Sequence, residues 1–250
     1  MGRSLAVVYG VLCYALFFVT FLYAIGFVGN LVVPKAIDSG DPSGFVASLV
    51  INLLLLGIFA VQHSLMARPG FKKWWTQFVP VPLERSTYVL LSSLALVLLF
   101  WLWRPLPDVI WHVDNAAGRM LLMGLFWIGW LTVLGSTFMI SHFDLFGLRH
   151  VWLHFRRQEY HHPNFTLNYL YKFIRHPLML GFLIAFWATP HMSLGHLLFT
   201  IATTGYILIG IHLEERDLRQ ILGKDYEDYR NRVPMLFPMP GKRGGTGAPN

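Results

Sequence analysis

Residues 169–182 read YLYKFIRHPLMLGF, and residues 210–240 read GIHLEERDLRQILGKDYEDYRNRVPMLFPMP. An apolar run separates them, with a turn signal near Pro190–Ser193. Lys172, Arg175 and His176 form a basic block closed by Pro177. Glu214, Glu215, Arg216 and Asp217 form an acidic block that runs into Tyr226, Tyr229 and Arg230. The spacing predicts a helix-turn-helix hairpin over 177–213 that returns both blocks to one membrane face. Opposed charge blocks on one face, followed by a Tyr-rich segment and a Pro-punctuated tail, make the wall of a pocket. The competing reading of 214–219 is a solvated helix face whose charges pair with one another.

The rest of the chain is membrane scaffold. It has 250 residues, 55% hydrophobic and 13% charged, with a mean hydropathy of +0.50. A soluble domain carries roughly 25% charged residues. About 20 residues cross the hydrocarbon core, and the candidate spans are 4–29, 45–66, 86–103, 118–141, 177–189 and 193–213. The expected fold class is all-α integral membrane, with five to six transmembrane helices, a C-terminal hairpin and a cytosolic cofactor-binding tail. Residues 1–240 form one membrane domain, 214–240 its cytosolic segment, and 241–250 a disordered tail rich in Gly, Pro and basic residues. The first apolar run, Leu5–Val33, is longer than the roughly 7–15 residues of a signal-peptide core, so it is read as a span.

Orientation follows from the basic residues. With six crossings, only Lys35, Arg104 and Arg119 of the 20 Lys and Arg fall on the face opposite the termini. Positive charge marks the cytoplasmic side, so both termini are expected there, in a bacterial inner membrane. The net charge of +7 then reflects topology and anionic lipid; no nucleic-acid partner is expected. The far-side loops, 34–44 and 104–118, read as simple connectors. Trp74, Trp75, Trp101, Trp103, Trp111 and Trp152 lie near span ends, as interfacial anchors do. Cys13 stands alone in an apolar run, so no disulfide forms within the chain.

Two polar constellations interrupt apolar helices. The second span ends AVQHSLMARPG, placing Gln62, His63 and Ser64 at membrane depth. Such groups are costly there and are functional candidates; the alternative is a helix end entering the interface. The fourth span ends SHFDLFGLRH, with His142, Asp144 and Arg149 among aromatics. That stretch reads either as an interfacial turn capped by Asp144 or as a second wall of the pocket at His63. The adjacent His161 and His162 lack a third ligand at recognisable spacing, so no metal site is expected. Most of the eleven histidines sit at span ends rather than within them, which speaks against haem ligation. Phosphate-binding Gly-rich loops, Ser-His-Asp arrangements and alternating strands and helices are absent.

The C-terminal stretch resembles the membrane methyltransferases of the isoprenylcysteine carboxyl methyltransferase and phospholipid methyltransferase superfamily. The matching residues are Arg175, His176, Pro177, Gly181, Glu214, Glu215, Leu218, Gly223, Tyr226, Tyr229, Val233 and Pro238. The superfamily's Tyr two residues after the Pro is Met179 here. QHSLMAR, SHFDLFGLRH and YILIGIHLEERDL extend the likeness along most of the chain, to the bacterial methanethiol S-methyltransferases of the NnrU-like branch.

That resemblance implies transfer of a methyl group from S-adenosylmethionine to methanethiol, a small thiol substrate, giving dimethyl sulfide. A sulfonium cofactor needs an acidic or aromatic cradle, which Glu214, Glu215, Tyr226 and Tyr229 can supply. Its carboxylate needs cations, for which Arg175, His176 and Arg230 serve. Tyr171, Lys172, Pro177, Leu180, Gly181, His212 and Leu218 complete the expected cofactor-binding set. The thiolate is the nucleophile, so a base is needed. His63 or His142 is expected to take the proton, with Ser64 and Asp144 orienting them, and Glu215 is the competing base. The alternatives are a prenylcysteine- or lipid-like acceptor, or a non-enzymatic haem- or quinone-binding membrane protein.

Overall fold

The computed structural model describes residues 2–41, 43–161 and 169–237. The expectations that involve His162, Pro238 and the tail 241–250 lie outside the described residues. Among the described residues, five helices are long and apolar enough to cross a membrane: α1 (Arg3–Gly29), α2 (Phe45–Ala67), α4 (Val81–Leu102), α5 (Ala116–Ile140) and α9 (Leu194–Leu222). Much of their apolar surface points outward, as at Leu12, Val19, Val46, Leu54, Leu121 and Leu131, which suits lipid rather than water. The protein is an all-α, multi-pass integral membrane protein. Short helices α3 (Pro69–Trp75), α6 (His142–Leu145), α7 (Leu148–Phe155), α8 (Pro177–Trp187) and α10 (Lys224–Arg232) complete the helical part.

Two boundaries differ from the sequence reading. The expected fifth span, 177–189, is the 11-residue helix α8, about 16 Å long at 1.5 Å per residue. That covers roughly half of a 30 Å hydrocarbon core. The expected sixth span ends at 213, but α9 continues to Leu222. No helix breaker occurs before Gly223, so Glu214 and Glu215 ride on the helix itself.

The chain divides into two compact units. The first unit comprises 1–112, 141–163 and 191–199. Within it α4 packs against α1 and α2, and α7 packs against α1. Ala6, Leu83 and Val151 make one buried cluster. Met66, Tyr88 and Val89 make another, covered by Phe17, Phe71, Trp75 and Phe146. Gly147 opens α7 at φ +88, and a Cβ there would lie 2.7 Å from Ser86 Oγ. Buried Asn52 donates to the Arg104 carbonyl oxygen at 2.7 Å and accepts from the Arg104 N–H at 2.9 Å. This satisfies backbone groups just past the end of α4, where the helix leaves them without intrahelical partners.

The loop 104–118 is more than a connector. Its strand β1 (Val109–His112) pairs antiparallel with β2 (His191–Ser193), placing His112 opposite His191. Trp103 lies at the end of α4, as expected, with its side chain turned inward. It is 0% exposed, packs edge-on against Phe27 and Phe199, and donates to the Ile37 carbonyl oxygen at 3.1 Å.

The second unit comprises 113–140, 164–190 and 200–250. Its α5 and α8 run antiparallel at very close range. A Cβ on Gly129 would sit 2.6 Å from the Ala185 backbone nitrogen, and one on Gly181 would sit 2.8 Å from the Gly129 carbonyl oxygen. Small residues permit this approach, which replaces a hydrophobic drive that lipid cannot supply. Along α9, Thr200 donates to the Phe186 carbonyl oxygen and Trp187 donates to Thr204 Oγ1, both at 3.1 Å.

Candidate functional site

In the second unit, the residues ahead of α8 and the helix α10 meet Glu215 on α9. Pro177 opens α8 at its first turn, where a missing N–H costs nothing, and leaves Arg175 and His176 just ahead of the helix. Gly223 ends α9 at φ +56 and ψ −126, a conformation open to glycine and strained for other residues. The chain turns there into α10, whose Tyr226 and Tyr229 fold back onto Leu218 and Leu222 with Val233. The tail then runs beside the start of α8: the Arg175 N–H donates to the Pro234 carbonyl oxygen at 2.9 Å, and the His176 N–H to that of Met235 at 3.1 Å.

Glu215 is 6% exposed. Its Oε1 accepts from Arg175 Nε at 2.7 Å and from His176 Nε2 at 3.0 Å, with Arg175 Nη2 at 2.7 Å. Its Oε2 lies 3.4 Å from Arg230 Nε. Arg175 Nη1 donates to the carbonyl oxygens of Arg230, at 3.0 Å, and Val233, at 2.5 Å. Because a carboxylate only accepts, the His176 proton sits on Nε2. His176 Nδ1 then faces Glu214 Oε2 at 3.7 Å.

The sequence-selected residues therefore fall into two groups. Arg175, His176, Glu215, Tyr226 and Tyr229 are buried and bind one another or the backbone; Pro177 and Gly181 are buried by packing. Arg175 was expected to meet a cofactor carboxylate, yet its guanidinium is largely used inside the protein. Tyr226 and Tyr229 were expected to cradle a cation, yet they lie in a small core. Tyr229 donates to the Tyr171 carbonyl oxygen at 2.7 Å, which fixes the 3₁₀ turn Tyr169–Lys172. Burial, and then the charge of Glu215, pushes the Tyr226 phenol up to about 12; burial likewise raises Tyr171 and Tyr229. The second group keeps polar ends in the open. Glu214 and Arg230 have half-exposed side chains, and Lys172 and His212 are exposed. Leu180, Leu218 and Tyr171 are half-buried.

The first unit holds the other candidates. Tyr88 Oη lies 2.9 Å from His63 Nε2, and Ser92 Oγ lies 3.2 Å from His63 Nδ1. Phe59 stacks on the His63 ring at 5.2 Å between centroids. Ser64, expected to orient His63, is adjacent on the helix, and Tyr88 and Ser92 bring hydroxyls to the ring. Asp144 has partners of its own. It accepts from Arg149 at 3.2 Å and from Tyr160 at 3.0 Å, with His150 3.6 Å away. Burial, and then the bond to Asp144, pushes the Tyr160 phenol up to about 12. The partner of His142 Nε2 is Tyr14, at 2.8 Å. Burial lowers His142 below its ordinary pKa.

His63 and His142 border one hydrophobic cluster. Tyr88 touches His63 and Phe146 touches His142, and both rings pack with Met66 and Val89. Tyr14, Tyr88 and Ser92 escaped the sequence reading. Their signal is a hydroxyl inside an apolar helix, which is also what a self-satisfied helical residue shows.

A family model described as NnrU protein matches residues 51–232. The chain belongs to the NnrU family. Its relatives include the methanethiol S-methyltransferase of Mycobacterium tuberculosis, 57% identical over 240 residues, covering 96% of this chain and 98% of the relative. Methanethiol S-methyltransferase 2 of Bradyrhizobium diazoefficiens is 56% identical, covering 95% and 91%. A more distant relative is Nurim of Rattus norvegicus, 29% identical over 184 residues, or 70% of each chain. No solved structure matches the chain.

Proposed function

We propose that this protein methylates methanethiol to dimethyl sulfide with S-adenosylmethionine as donor. The observation that carries the reading is the near-full-length likeness, at 57% identity, to a protein named for that reaction. The match runs through both units, so it includes the Glu215 cluster and the His63 and His142 surroundings alike.

The open polar groups of the second unit fit a sulfonium cofactor with an amino-acid end. Glu214 offers a half-exposed carboxylate to the cation, and Arg230 and Lys172 offer charges to the cofactor carboxylate. Arg175, His176, Glu215 and Tyr229 act one step back, holding α9, the start of α8 and the tail in register. Glu215 is a poor base, because its N–H donors and the nearby guanidinium hold it ionised. When bound, the donor supplies an electrophilic methyl carbon on a positively charged sulfur.

The acceptor thiol must lose its proton to become the nucleophile. His63 or His142 takes it, Tyr88 and Ser92 fixing the first ring and Tyr14 the second. The S–H bond breaks and the proton stays on the imidazole. With the donor bound, the thiolate sulfur would accept its methyl group and the donor would leave as the neutral thioether. A small apolar thiol dissolves in the bilayer, so a hydrophobic cluster beside these rings is a fitting reception site. α8 leads into β2, which pairs with β1 of the loop opposite the termini, so α8 is counted as a sixth pass. The charge asymmetry of the loops then supports placing both termini on the cytoplasmic face of a bacterial inner membrane.

The test is a sealed-vial assay of detergent-purified protein with S-adenosylmethionine and methanethiol, reading dimethyl sulfide in the headspace. Donor-dependent product confirms the reaction. Donor binding without product moves the acceptor to the lipid-like class, and neither binding nor product overturns the methyltransferase reading.

A further inference from the structure

We infer that His112 and His191 form a binding site for a divalent transition-metal ion, Cu(II) or Zn(II). The two residues are 79 apart in sequence, so no ligand motif announces them. They are brought together by the β1–β2 ladder, where they stand directly opposite. Their Nδ1 atoms lie 3.1 Å apart and the ring centroids 5.4 Å apart, with the planes steeply inclined at 69°.

That spacing suits chelation. Two imidazole nitrogens at about 2.0–2.1 Å from one ion are about 2.9 Å apart at a right angle and about 3.4 Å apart at a tetrahedral one. The observed 3.1 Å falls between these limits. Imidazole is the side chain that Cu(II) and Zn(II) share as a preferred ligand. The pair is exposed, so water can complete the coordination shell. A single N–H···N hydrogen bond gives the same separation, and the experiment below separates the two.

Cross-strand pairing also supplies preorganisation. The ladder continues from His112 to Trp111, opposite Met192, and Met192 is fully buried. The backbones carrying the two rings are therefore fixed before an ion arrives, and little ordering entropy remains to oppose binding. A bound ion would staple the strand after α4 to the strand before α9.

The experiment titrates Cu(II), and separately Zn(II), into the full-length protein freed of any polyhistidine tag. Binding is read by calorimetry, by Trp111-linked fluorescence quenching with Cu(II), and by the thermal midpoint. One ion should bind per chain and raise the midpoint, since a ligand specific to the folded state stabilises it. His112→Gln and His191→Gln should each weaken binding at least tenfold, and the double variant should abolish it. Midpoints of the ion-free variants should stay near wild type, showing that the strands still pair. Absence of one-to-one binding in the wild type, or its survival in the double variant, overturns the site.

Discussion

Nε and Nη2 of Arg175 both lie 2.7 Å from a single oxygen of Glu215. The third nitrogen of the same guanidinium holds the carbonyl oxygens of Arg230 and Val233. One side chain thus ties α9 to the end of α10 and the tail. Arg175, His176 and Glu215 spend their charges largely on one another and on the backbone, whereas the side chains of Glu214 and Arg230 stay half-exposed.

Glu215→Gln should therefore act on the fold as well as on activity. It leaves the buried Arg175 cation without its counter-charge, and breaking such a pair costs about 3–5 kcal/mol. Thermal unfolding of the donor-free protein should show that loss. Glu214→Gln should leave the midpoint in place and weaken donor affinity about tenfold, near 1.4 kcal/mol, in calorimetry. The reverse pattern would exchange the roles given to the two carboxylates.

Gly129→Ala should destabilise the protein, because the new Cβ would lie 2.6 Å from backbone that cannot rotate away. Overpacking of this kind costs about 1–3 kcal/mol. Gly181→Ala should behave alike, with its Cβ 2.8 Å from the Val133 nitrogen. Gly124→Ala, on the same helix but with nothing within 4 Å, is the control and should leave the midpoint unchanged or raised. Equal midpoints for all three would show that α5 and α8 do not need close contact.

The membrane helices were legible because hydropathy and length suffice to read them. Leu222 as the end of α9 was missed because charge was taken as the membrane boundary, whereas a helix stops at Gly223 for backbone reasons. The β1–β2 pair was invisible, since VIWH carries no clean alternation and its partner lies far along the chain. Arg175, His176, Glu215, Tyr226 and Tyr229 were found as a group, but not their division of labour. A Tyr at i and i+3 on α10 reads identically whether the rings face a ligand or Leu218. Only packing decides, and it places them inside. The partners of His63 and His142 were missed because Tyr88 and Tyr14 come from other helices.

Alkaline pH should unfold the tail before the rest. Tyr226 is 1% exposed and its phenol is raised from 10.0 to about 12. A raised folded-state value means the folded form holds its proton more tightly than the unfolded form. This contribution to stability is fully present below pH 10 and is lost as pH rises through about 12. Tyrosinate absorbance should lag behind a free-tyrosine titration until the midpoint of unfolding falls. Tyr226→Phe should flatten that alkaline loss, and an unchanged alkaline limb would remove Tyr226 from the account.

His63→Ala should lower turnover about a hundredfold or more, the usual contribution of a positioned base, while leaving donor affinity intact. His142→Ala should cost less. His63 is half-buried, so a thiol dissolved in the bilayer can reach it, whereas His142 is 4% exposed and wedged among Tyr14, Phe143 and Phe146. Tyr88→Phe should fall between them, since it removes the hydroxyl beside His63 and keeps the ring that packs on Met66. The measurement is headspace dimethyl sulfide at saturating donor, set beside calorimetric donor affinity for each variant. Turnover that survives in His63→Ala and collapses in His142→Ala would move the proton acceptor to His142. A loss of donor affinity in both would instead show that these rings support the cofactor site and not proton removal.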